Sequence, residues 1–326
     1  MTTSPAGRRS RLSKLASVLA LSLGLVTVPA VASTSLASSA QAAVRSCSSS
    51  TAVASRPELR QGDTGSCVTV LQRALIAKGY SVGSSGATGS FGSATALAVR
   101  RFQSDRVGLR IDAVVGPATW GALVNGATLY SRTRGPNSTS RVVLSFDDCP
   151  SSYSSFQSAV LGAERLGIAL ALFPTGNCIT AGRFSPSYAR AHGHYVFNHS
   201  VSHPDLRNLS YTNVRAQLSA PGVVTSYGRP PYGAYNNTVL NAYASKSMRV
   251  WMWTVDTTDY RGKSQASVVS YVVNNSRAGS TVLMHMQWRG FNSTALSQMK
   301  SGLANRGLSV CRNRGATAIS PSSVAC

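Results

Sequence analysis

The stretch VVLSFDD at residues 142–148 runs from an apolar segment directly into two neighbouring aspartates. A short and nearly continuous apolar run predicts a strand that is buried on both faces, as in parallel sheets. Similar runs alternate further along the chain with helix-like segments; the runs are 168–173, 250–255 and 281–285, and the helix-like segments are 154–166, 264–274 and 294–305. This alternation predicts an α/β domain built on a parallel sheet or barrel, in which functional groups gather where the strands end.

Acidic and histidine side chains are rare in this part of the chain, and they are concentrated beside the predicted strand ends. From Arg141 onward there are six acids: Asp147, Asp148, Glu164, Asp205, Asp256 and Asp259. Four of them form two tight pairs. All five histidines of the chain lie in the same region: His192, His194, His199, His203 and His285. A surface built for solubility alone would scatter its carboxylates, so this distribution indicates a functional site.

The pair Asp147-Asp148 and the segment from His199 to His203 carry the residue types of a catalytic metal site. Two adjacent carboxylates repel each other unless a cation takes one and leaves the other free as a base. Two imidazoles four residues apart suit one metal ion, and His203 should end a helical turn because it precedes Pro204. Two histidines and one aspartate leave coordination positions open for water and substrate. Taken singly, each motif is more often a solvated turn or an ordinary histidine.

The first 42 residues have the parts of a secretory signal. Arg8 to Lys14 form a basic start, Leu15 to Pro29 are apolar but too short for a convincing membrane span, and Ala40-Gln41-Ala42 offers a cleavage site. A second candidate cleavage site lies at Ala30-Val31-Ala32. We therefore predict a signal peptide over 1–42, secretion, and no membrane association after cleavage.

The net charge points to an anionic partner outside the cell. The chain of 326 residues carries a formal charge of +22. Removal of the predicted signal, which holds four basic residues and no acid, lowers this charge to +18. Export removes most nucleic-acid partners, so a basic secreted protein is expected to meet cell-wall polymer that carries carboxylates and phosphates.

Six cysteines, all beyond the predicted signal, indicate disulfides in an exported chain. Six cysteines allow fifteen pairings, and the sequence alone does not choose among them. We favour pairs that lie close in the chain and within one domain: Cys47–Cys67, Cys149–Cys178 and Cys311–Cys326.

Residues 43–56 are rich in Ser, Ala and Val and are interpreted as a tether, and residues 57–126 are interpreted as a small domain with three helices. Four motifs support the second interpretation: LRQGDTG (59–65), LQRAL (71–75), AVRRFQ (98–103) and VGPATW (115–120). In order and spacing they resemble the peptidoglycan-binding domain of cell-wall hydrolases. The alternative is a helical spacer without a ligand. Thr88-Gly89 stands where that family usually has Asp-Gly.

Residues 127–140 are rich in Gly, Ser, Thr, Asn and Pro and are interpreted as a linker to a second domain over 141–326. Five motifs of that domain occur in one order: SFDDCP (145–150), HSVSHPDL (199–206), RPPYG (229–233), DTTDY (256–260) and LMH (283–285). They resemble the signatures of polysaccharide deacetylases, carbohydrate esterase family 4. The resemblance implies a distorted (β/α) barrel and a metal-dependent deacetylase.

The resemblance also implies a role for each reacting group. Asp147 would be the general base, and a divalent metal would be held by three ligands, Asp148, His199 and His203. His285 would be the general acid, held protonated and oriented by Asp256, while Asp259 would only support its loop. Arg229 would pair with Asp147 and keep it ionised. Zinc is the favoured metal, with cobalt, nickel and manganese as alternatives.

Substrate contacts follow from the same resemblance. A main-chain N–H just after Pro230 would stabilise the oxyanion, Tyr260 would line the acetyl pocket, and Tyr232 and Trp288 would add a surface for stacking against sugars. His192 and His194 have no role in the family and are interpreted as exposed or structural. The first signature usually has Gly where this chain has Cys149. Cys149 would be an extra metal ligand, a nucleophile or, as we favour, the disulfide partner of Cys178 that joins the metal-ligand loop to its neighbour.

Together these observations predict a secreted, monomeric, metal-dependent hydrolase that removes acetyl groups, N-acetyl groups in the first place, from peptidoglycan or a related polysaccharide. Chitin oligomers and acetylated xylan are the alternative substrates. A wall-binding protein with an inactive catalytic half and a basic structural wall protein are the alternative functions.

Overall fold

A small helical domain begins the part of the chain that the computed structural model describes, residues 46–326; the predicted signal peptide lies outside the described residues. The domain contains helices α1 (Ser66–Ala77), α2 (Ser93–Ser104) and α3 (Pro117–Asn125). Its apolar core is buried and separate from the cores of the second domain; its largest members are Leu59, Leu71, Phe91, Phe102 and Trp120. The three predicted helices are therefore present, and Pro117 opens the third, where its missing N–H has no cost.

Two buried glutamines hold the turns that precede α2 and α3. Gln72 accepts a hydrogen bond from the Gly89 main chain and donates to the Ser90 carbonyl. Gln103 accepts from Asp112 and from Ala113, both through main-chain N–H groups. A buried amide that satisfies both its donor and its acceptor replaces the missing main-chain partners of a turn.

The described part of the predicted tether packs on this domain. Cys47 is joined to Cys67 of α1, and the guanidinium of Arg56 lies 4.7 Å from the ring centre of Trp120. The other two favoured disulfides, Cys149–Cys178 and Cys311–Cys326, are also present. The predicted pairing is thus confirmed for all six cysteines.

The second domain contains seven short parallel strands: β1 (Val143–Asp148), β2 (Ala171–Pro174), β3 (Tyr195–Val196), β4 (Tyr227–Gly228), β5 (Arg249–Val250), β6 (Val255–Asp256) and β7 (Thr281–His285). Five of them form a sheet in the order β3-β2-β1-β7-β6, and β4 pairs with β5. A parallel bridge from Asn198 to Gly228 connects β3 to β4. The strands thus follow one another in the order of a barrel, with no strand pairing between β5 and β6 among the described residues.

Seven helices accompany these strands: α4 (Tyr153–Arg165), α5 (Gly176–Thr180), α6 (Pro186–Ala191), α7 (Tyr211–Gln217), α8 (Asn237–Ser245), α9 (Gln265–Asn275) and α10 (Ser293–Asn305). Most begin at a Ser, Thr or Asn whose side chain accepts a hydrogen bond from the first turn, as Ser152 does for α4 and Asn292 for α10. The three predicted helices correspond to α4, α9 and α10. No described helix has both the length and the apolarity that a bilayer crossing requires.

The predicted strand at 250–255 is wrong. The structure has two separate strands of two residues, and the segment between them leaves the sheet. Trp251 and Met252 turn their carbonyl oxygens toward the guanidinium of Arg229, and the N–H of Met252 donates to the linker residue Arg132. Trp251 keeps one sheet hydrogen bond, from its N–H to Gly228 of β4, and beyond it the contacts with Arg229 and Arg132 take the place of the pairing that a continuous strand would have made.

The two domains meet through polar contacts, and the described residues belong to one compact unit. Arg249 donates hydrogen bonds to four main-chain carbonyls of the N-terminal domain, those of Gln103, Ser104, Arg106 and Leu109. Arg132 forms an ion pair of 2.6 Å with Asp105. Carbonyl groups that accept from a guanidinium keep the hydrogen bonding of a helix end satisfied at a buried junction.

His194 is a fully buried structural residue, as predicted. Its Nδ1 accepts from the Leu170 main chain at 3.1 Å, and its Nε2 lies 3.0 Å from the carbonyl oxygen of Val160. This arrangement requires the neutral ring, since a proton on Nδ1 would remove the first bond. Burial lowers the pKa of His194 from 6.5 to about 4.

We expect protonation of His194 to destabilise the fold. Its pKa is lower in the folded state, so the unfolded chain binds more protons between pH 6.5 and 4, and the free energy of unfolding falls as the pH is lowered through that window. The decrease in the free energy of unfolding that is attributable to this residue is roughly 3 kcal/mol. Denaturant unfolding at a series of pH values should show a weaker pH dependence in His194→Gln than in wild type. His192→Gln is the control, and equal slopes in all three proteins would contradict the assignment.

Candidate active site

The five motifs of the second domain meet at the carboxyl ends of the parallel strands. Asp147 and Asp148 end β1, and His285 ends β7, where it lies in register with Asp147 on the neighbouring strand. The segment from His199 to His203 follows β3, and Arg229 follows β4. Because parallel strands end at one edge, residues far apart in the sequence become neighbours there.

Asp148, His199 and His203 form a compact set of potential metal ligands. One ligand atom from each lies within 4.8 Å of the others. The Nε2 atoms of both histidines are 3.3 Å from Oδ1 of Asp148. Nδ1 of His199 is 2.8 Å from the carbonyl oxygen of Arg229 and must donate to it, so Nε2 is the nitrogen that faces the carboxylate. Oδ1 of Asp148 is buried and makes no hydrogen bond within the described residues.

This donor set fits a divalent cation. Burial disfavours a charge on His199, yet the carboxylates of Asp147 and Asp148 hold the pKa of His199 above its ordinary value. Burial and the neighbouring His199 instead lower the pKa of His203. Two imidazole nitrogens and a carboxylate oxygen, with the second carboxylate of Asp147 nearby, are the donor types that Zn²⁺ and similar ions bind.

The loops that carry these groups are strained. Seven described residues other than glycine have a positive φ, and five of them lie in these loops: Asp148, Ser200, His203, Tyr232 and Thr258. Such a conformation costs free energy and persists where the surrounding contacts impose it. Here the left-handed backbone directs the side chains of Asp148 and His203 toward each other. Gln287 also donates to Oδ2 of Asp148 at 2.9 Å.

Asp147 and Arg229 form the predicted pair. Nη1 of Arg229 lies 2.6 Å from Oδ1 of Asp147, and both side chains are almost entirely buried. The remaining guanidinium donors bond to Ser145 Oγ and to the carbonyl oxygens of Trp251 and Met252. Oδ2 of Asp147 is left facing His199, 3.7 Å from its Nε2. The buried guanidinium is thus held by four hydrogen bonds and places its positive charge against the Asp147 carboxylate.

The partner of His285 is Asp259, so the prediction of Asp256 is wrong. Oδ1 of Asp259 lies 2.7 Å from Nδ1 of His285, and its Oδ2 accepts the main-chain N–H of the same residue at 2.8 Å. Asp256 instead accepts from the main chain of Thr258. The left-handed backbone at Thr258 turns the chain after β6, so that Asp259 points back to β7.

Asp259 sets the electrostatic environment of His285. The carboxyl side chain of Asp259 is fully buried. Burial of the ring favours its neutral form, but the hydrogen bond to Asp259 and the charge of Asp147 hold the pKa of His285 above its ordinary value. Because Nδ1 is engaged with Asp259, Nε2 is the nitrogen that remains for a substrate.

Aromatic residues line the rim of this site. Tyr232 is 70% exposed and stands edge-on to His203 at 4.7 Å between ring centres. Tyr260 is 45% exposed and stands edge-on to His285 at 5.5 Å. Pro230 is buried, and the residue that follows it is Pro231, which has no N–H. The first main-chain donor after Pro230 is therefore that of Tyr232.

The Cys149–Cys178 disulfide joins the loops of the metal-ligand set. Cys149 follows Asp148 directly, and Cys178 lies in α5. The residues before Cys178 bond to the His199–His203 loop, since Gly176 donates to the carbonyl of Ser200. Both sulfurs are consumed in the bond, so Cys149 is neither a thiolate ligand nor a nucleophile in this state.

Sequence reasoning missed the contribution of Gln287 and the role of Asp259. Gln287 lies two residues beyond His285, but its contact with Asp148 crosses from one strand end to another. No local pattern marks such a contact. The DTTDY segment did contain both candidate carboxylates, and only the backbone geometry decides between them.

Comparison with known families agrees with this two-domain organisation. Residues 64–123 match the family described as a peptidoglycan binding domain, and residues 134–251 match the polysaccharide deacetylase family. The second match contains Asp147, Asp148, His199, His203 and Arg229, and it ends before Asp259 and His285. The placement of those last two residues therefore rests on the geometry of this structure.

Three curated relatives act on different polysaccharides according to their names. The chain is 30% identical to a bifunctional xylanase/xylan deacetylase of Cellvibrio japonicus, over 58% of this chain and 30% of that protein. It is 28% identical to a chitooligosaccharide deacetylase of Azorhizobium caulinodans, over 49% and 80%. It is 28% identical to a peptidoglycan-N-acetylglucosamine deacetylase of Bacillus cereus, over 46% and 58%. The chain thus spans less than two thirds of the length of two of them.

We predict that Asp259→Asn lowers the pKa of His285, whereas Asp256→Asn leaves it close to the wild-type value. Removal of the carboxylate charge takes away the main interaction that favours the imidazolium, and a decrease of about one unit or more follows. The measurement is an NMR titration of the His285 ring in metal-free protein. A larger decrease in Asp256→Asn than in Asp259→Asn would refute the pairing seen here.

Proposed function

Because residues 134–251 form a polysaccharide deacetylase domain, we propose that this chain is a metal-dependent hydrolase that removes acetyl groups, N-acetyl groups in the first place, from peptidoglycan or a related polysaccharide. One observation carries the proposal. A buried carboxylate paired with a guanidinium, a set of three potential metal ligands and a carboxylate-bound imidazole face one another at a single edge of the barrel.

The metal ligands in this proposal are Asp148, His199 and His203, with zinc as the favoured ion and cobalt, nickel or manganese as alternatives. When bound, a divalent ion would polarise an acetyl carbonyl and make water more acidic. Gln287 and the carbonyl of Arg229 orient Asp148 and His199, respectively, which is the usual task of groups that surround metal ligands.

Asp147 is the proposed general base. Its Oδ1 is occupied by Arg229, so Oδ2 is the oxygen that would accept a proton from the attacking water. Arg229 keeps the carboxylate ionised and fixes its direction. Asn at this position would retain the shape of the side chain but could not take up the proton.

His285 is the proposed general acid. It lies in register with Asp147 on the adjacent strand, so the two groups flank the position of a substrate carbonyl from neighbouring strand ends. Asp259 holds Nδ1, and Nε2 would donate a proton to the leaving amine as the bond between carbon and nitrogen breaks. Tyr232 supplies the proposed oxyanion donor through its main-chain N–H, and Tyr260 borders the acetyl position.

Peptidoglycan is the proposed substrate because residues 64–123 match a peptidoglycan binding domain. A second binding site on the same polymer raises the local concentration of substrate at the active site. The charge of +18 expected after removal of the predicted signal also suits a wall polymer that carries anionic groups. We further propose that residues 1–42 direct secretion and that the mature protein acts in the cell wall as a monomer. Chitin oligomers and acetylated xylan remain alternative substrates, as the names of two relatives suggest.

We predict that Asp147→Asn lowers kcat for acetate release by at least about 100-fold, since a positioned base contributes a factor of this size or more. Asp256→Asn, which removes a carboxylate at the end of β6 that accepts from the Thr258 main chain, should retain activity within about threefold of wild type. The assay measures acetate released from peptidoglycan, chitin oligomers and acetylated xylan. Activity of Asp147→Asn equal to that of Asp256→Asn would rule out the proposed base.

Metal removal provides a second test. Chelation should abolish acetate release by the wild type, and addition of zinc should restore it, because without a Lewis acid the remaining groups do not polarise the carbonyl enough. His199→Ala should bind less than about a tenth of the wild-type zinc, as expected when one of three ligands is lost. If the wild type releases no acetate from any of the three polymers in the presence of zinc, cobalt, nickel or manganese, the proposed function is wrong.

A further inference from the structure

The ring of strands is open between β5 and β6, and the linker covers this opening. We call residues 131–137 the linker turn. The carbonyl oxygen of Arg132 accepts the N–H of Met252 at 2.7 Å. Gly135 lies so close to the ring of Trp251 that a Cβ added at this position would overlap the ring. The linker turn thus contacts both residues 251 and 252, while the N–H of Trp251 also donates to the carbonyl of Gly228 in β4 at 2.9 Å.

Trp251 and Met252 also bond to Arg229, through their carbonyl oxygens. Nε of Arg229 donates to the Trp251 carbonyl at 3.1 Å, and Nη2 donates to the Met252 carbonyl at 2.9 Å. Its Nη1 then lies 2.6 Å from Asp147. The Trp251 carbonyl and the Met252 N–H belong to one peptide group, so the linker turn directly holds one of the two peptide groups that set the direction of the guanidinium.

The N-terminal domain holds the linker turn in place. The side chain of Arg132 pairs with Asp105 at 2.6 Å, and the N–H of Tyr130 donates to the Asp105 carbonyl at 3.1 Å. Arg249, two residues before Trp251, donates hydrogen bonds to four main-chain carbonyls of that domain. One residue, Arg132, thus contacts the N-terminal domain with its side chain and Met252 with its main chain.

We infer that the linker turn and the docked N-terminal domain position the Arg229–Asp147 pair, so that the N-terminal domain contributes to turnover even of a substrate that it does not bind. The inference rests on the proposed role of Asp147 as base. It goes beyond tethering, because a tether raises the local concentration of a polymer and leaves the chemistry of a small substrate unchanged. Arg132 and Gly135 are in this sense positioning residues.

The first test compares two glycines of the linker region in the full chain. Gly135 and Gly126 both have a positive φ, of 61° and 85°, so alanine strains the backbone at both positions. Only at position 135 does the new methyl group collide with Trp251, whereas nothing lies within 4 Å at position 126. Gly126→Ala is therefore the matched control for Gly135→Ala.

We expect Gly135→Ala to lower kcat on a soluble N-acetylglucosamine oligomer about tenfold or more relative to Gly126→Ala, because a displacement of the base by a fraction of an ångström is costly. KM for the oligomer, zinc content and binding to peptidoglycan should stay within about twofold of the control. Hydrogen exchange in the peptide that contains Met252 should be faster in Gly135→Ala. Equal kcat values and equal exchange rates in the two variants would overturn the inference.

The second test removes the docking contact without a steric clash. Arg132→Ala should lower kcat on the same oligomer several-fold, and Arg132→Lys should recover part of the loss, since a lysine can still pair with Asp105. Lys78→Ala, at an exposed residue directly after α1, is the control and should keep the wild-type kcat. If Arg132→Ala loses activity on peptidoglycan but keeps the wild-type kcat on the oligomer, the N-terminal domain acts as a tether only.

A wild type that is inactive on every polymer would instead defeat the proposed function. The hydrogen-exchange rates would still decide whether the linker turn holds Met252.

Discussion

The buried charge of Arg229 is the constraint on which the rest of the site depends. A guanidinium cannot be buried at acceptable cost unless its donors are satisfied, and here they meet Asp147, Ser145 and the carbonyls of Trp251 and Met252. The same residue accepts a hydrogen bond from His199 through its main-chain carbonyl. The side chain of Arg229 therefore orients the proposed base, and its main-chain carbonyl orients one proposed metal ligand. The need of this side chain for two carbonyl acceptors also explains why the chain leaves the sheet after β5.

The sequence predicted what depends on residue type and strand order. Short apolar runs followed by Asp147-Asp148 and by His285 placed both groups at strand ends, and parallel strands bring such ends together. It did not predict which carboxylate of DTTDY faces His285, because that depends on the left-handed backbone at Thr258. It also predicted one strand at 250–255, since a run of β-branched and aromatic residues does not reveal that two carbonyls are needed by a distant arginine.

The two domains have different parts in the proposed function. The C-terminal domain holds the groups that suit acetyl hydrolysis, and the N-terminal domain indicates the polymer on which they would act. The contacts of Arg132 and Arg249 show that this division is incomplete, because the N-terminal domain also supports the segment that fixes Arg229. The Cys149–Cys178 disulfide has a similar effect on the opposite side of the site, where it joins Asp148 to the loop that touches the segment between His199 and His203. The site is thus supported by contacts outside the barrel as well as by its strands.

The most direct test of this account is anomalous diffraction from crystals of the full chain grown with zinc. The account predicts one strong peak at roughly 2.0–2.2 Å from an Asp148 carboxylate oxygen and from Nε2 of both His199 and His203, with coordination positions left open on the side of Asp147 and His285. Fully occupied zinc at another place in the chain, or the absence of a peak among these three residues, would contradict it.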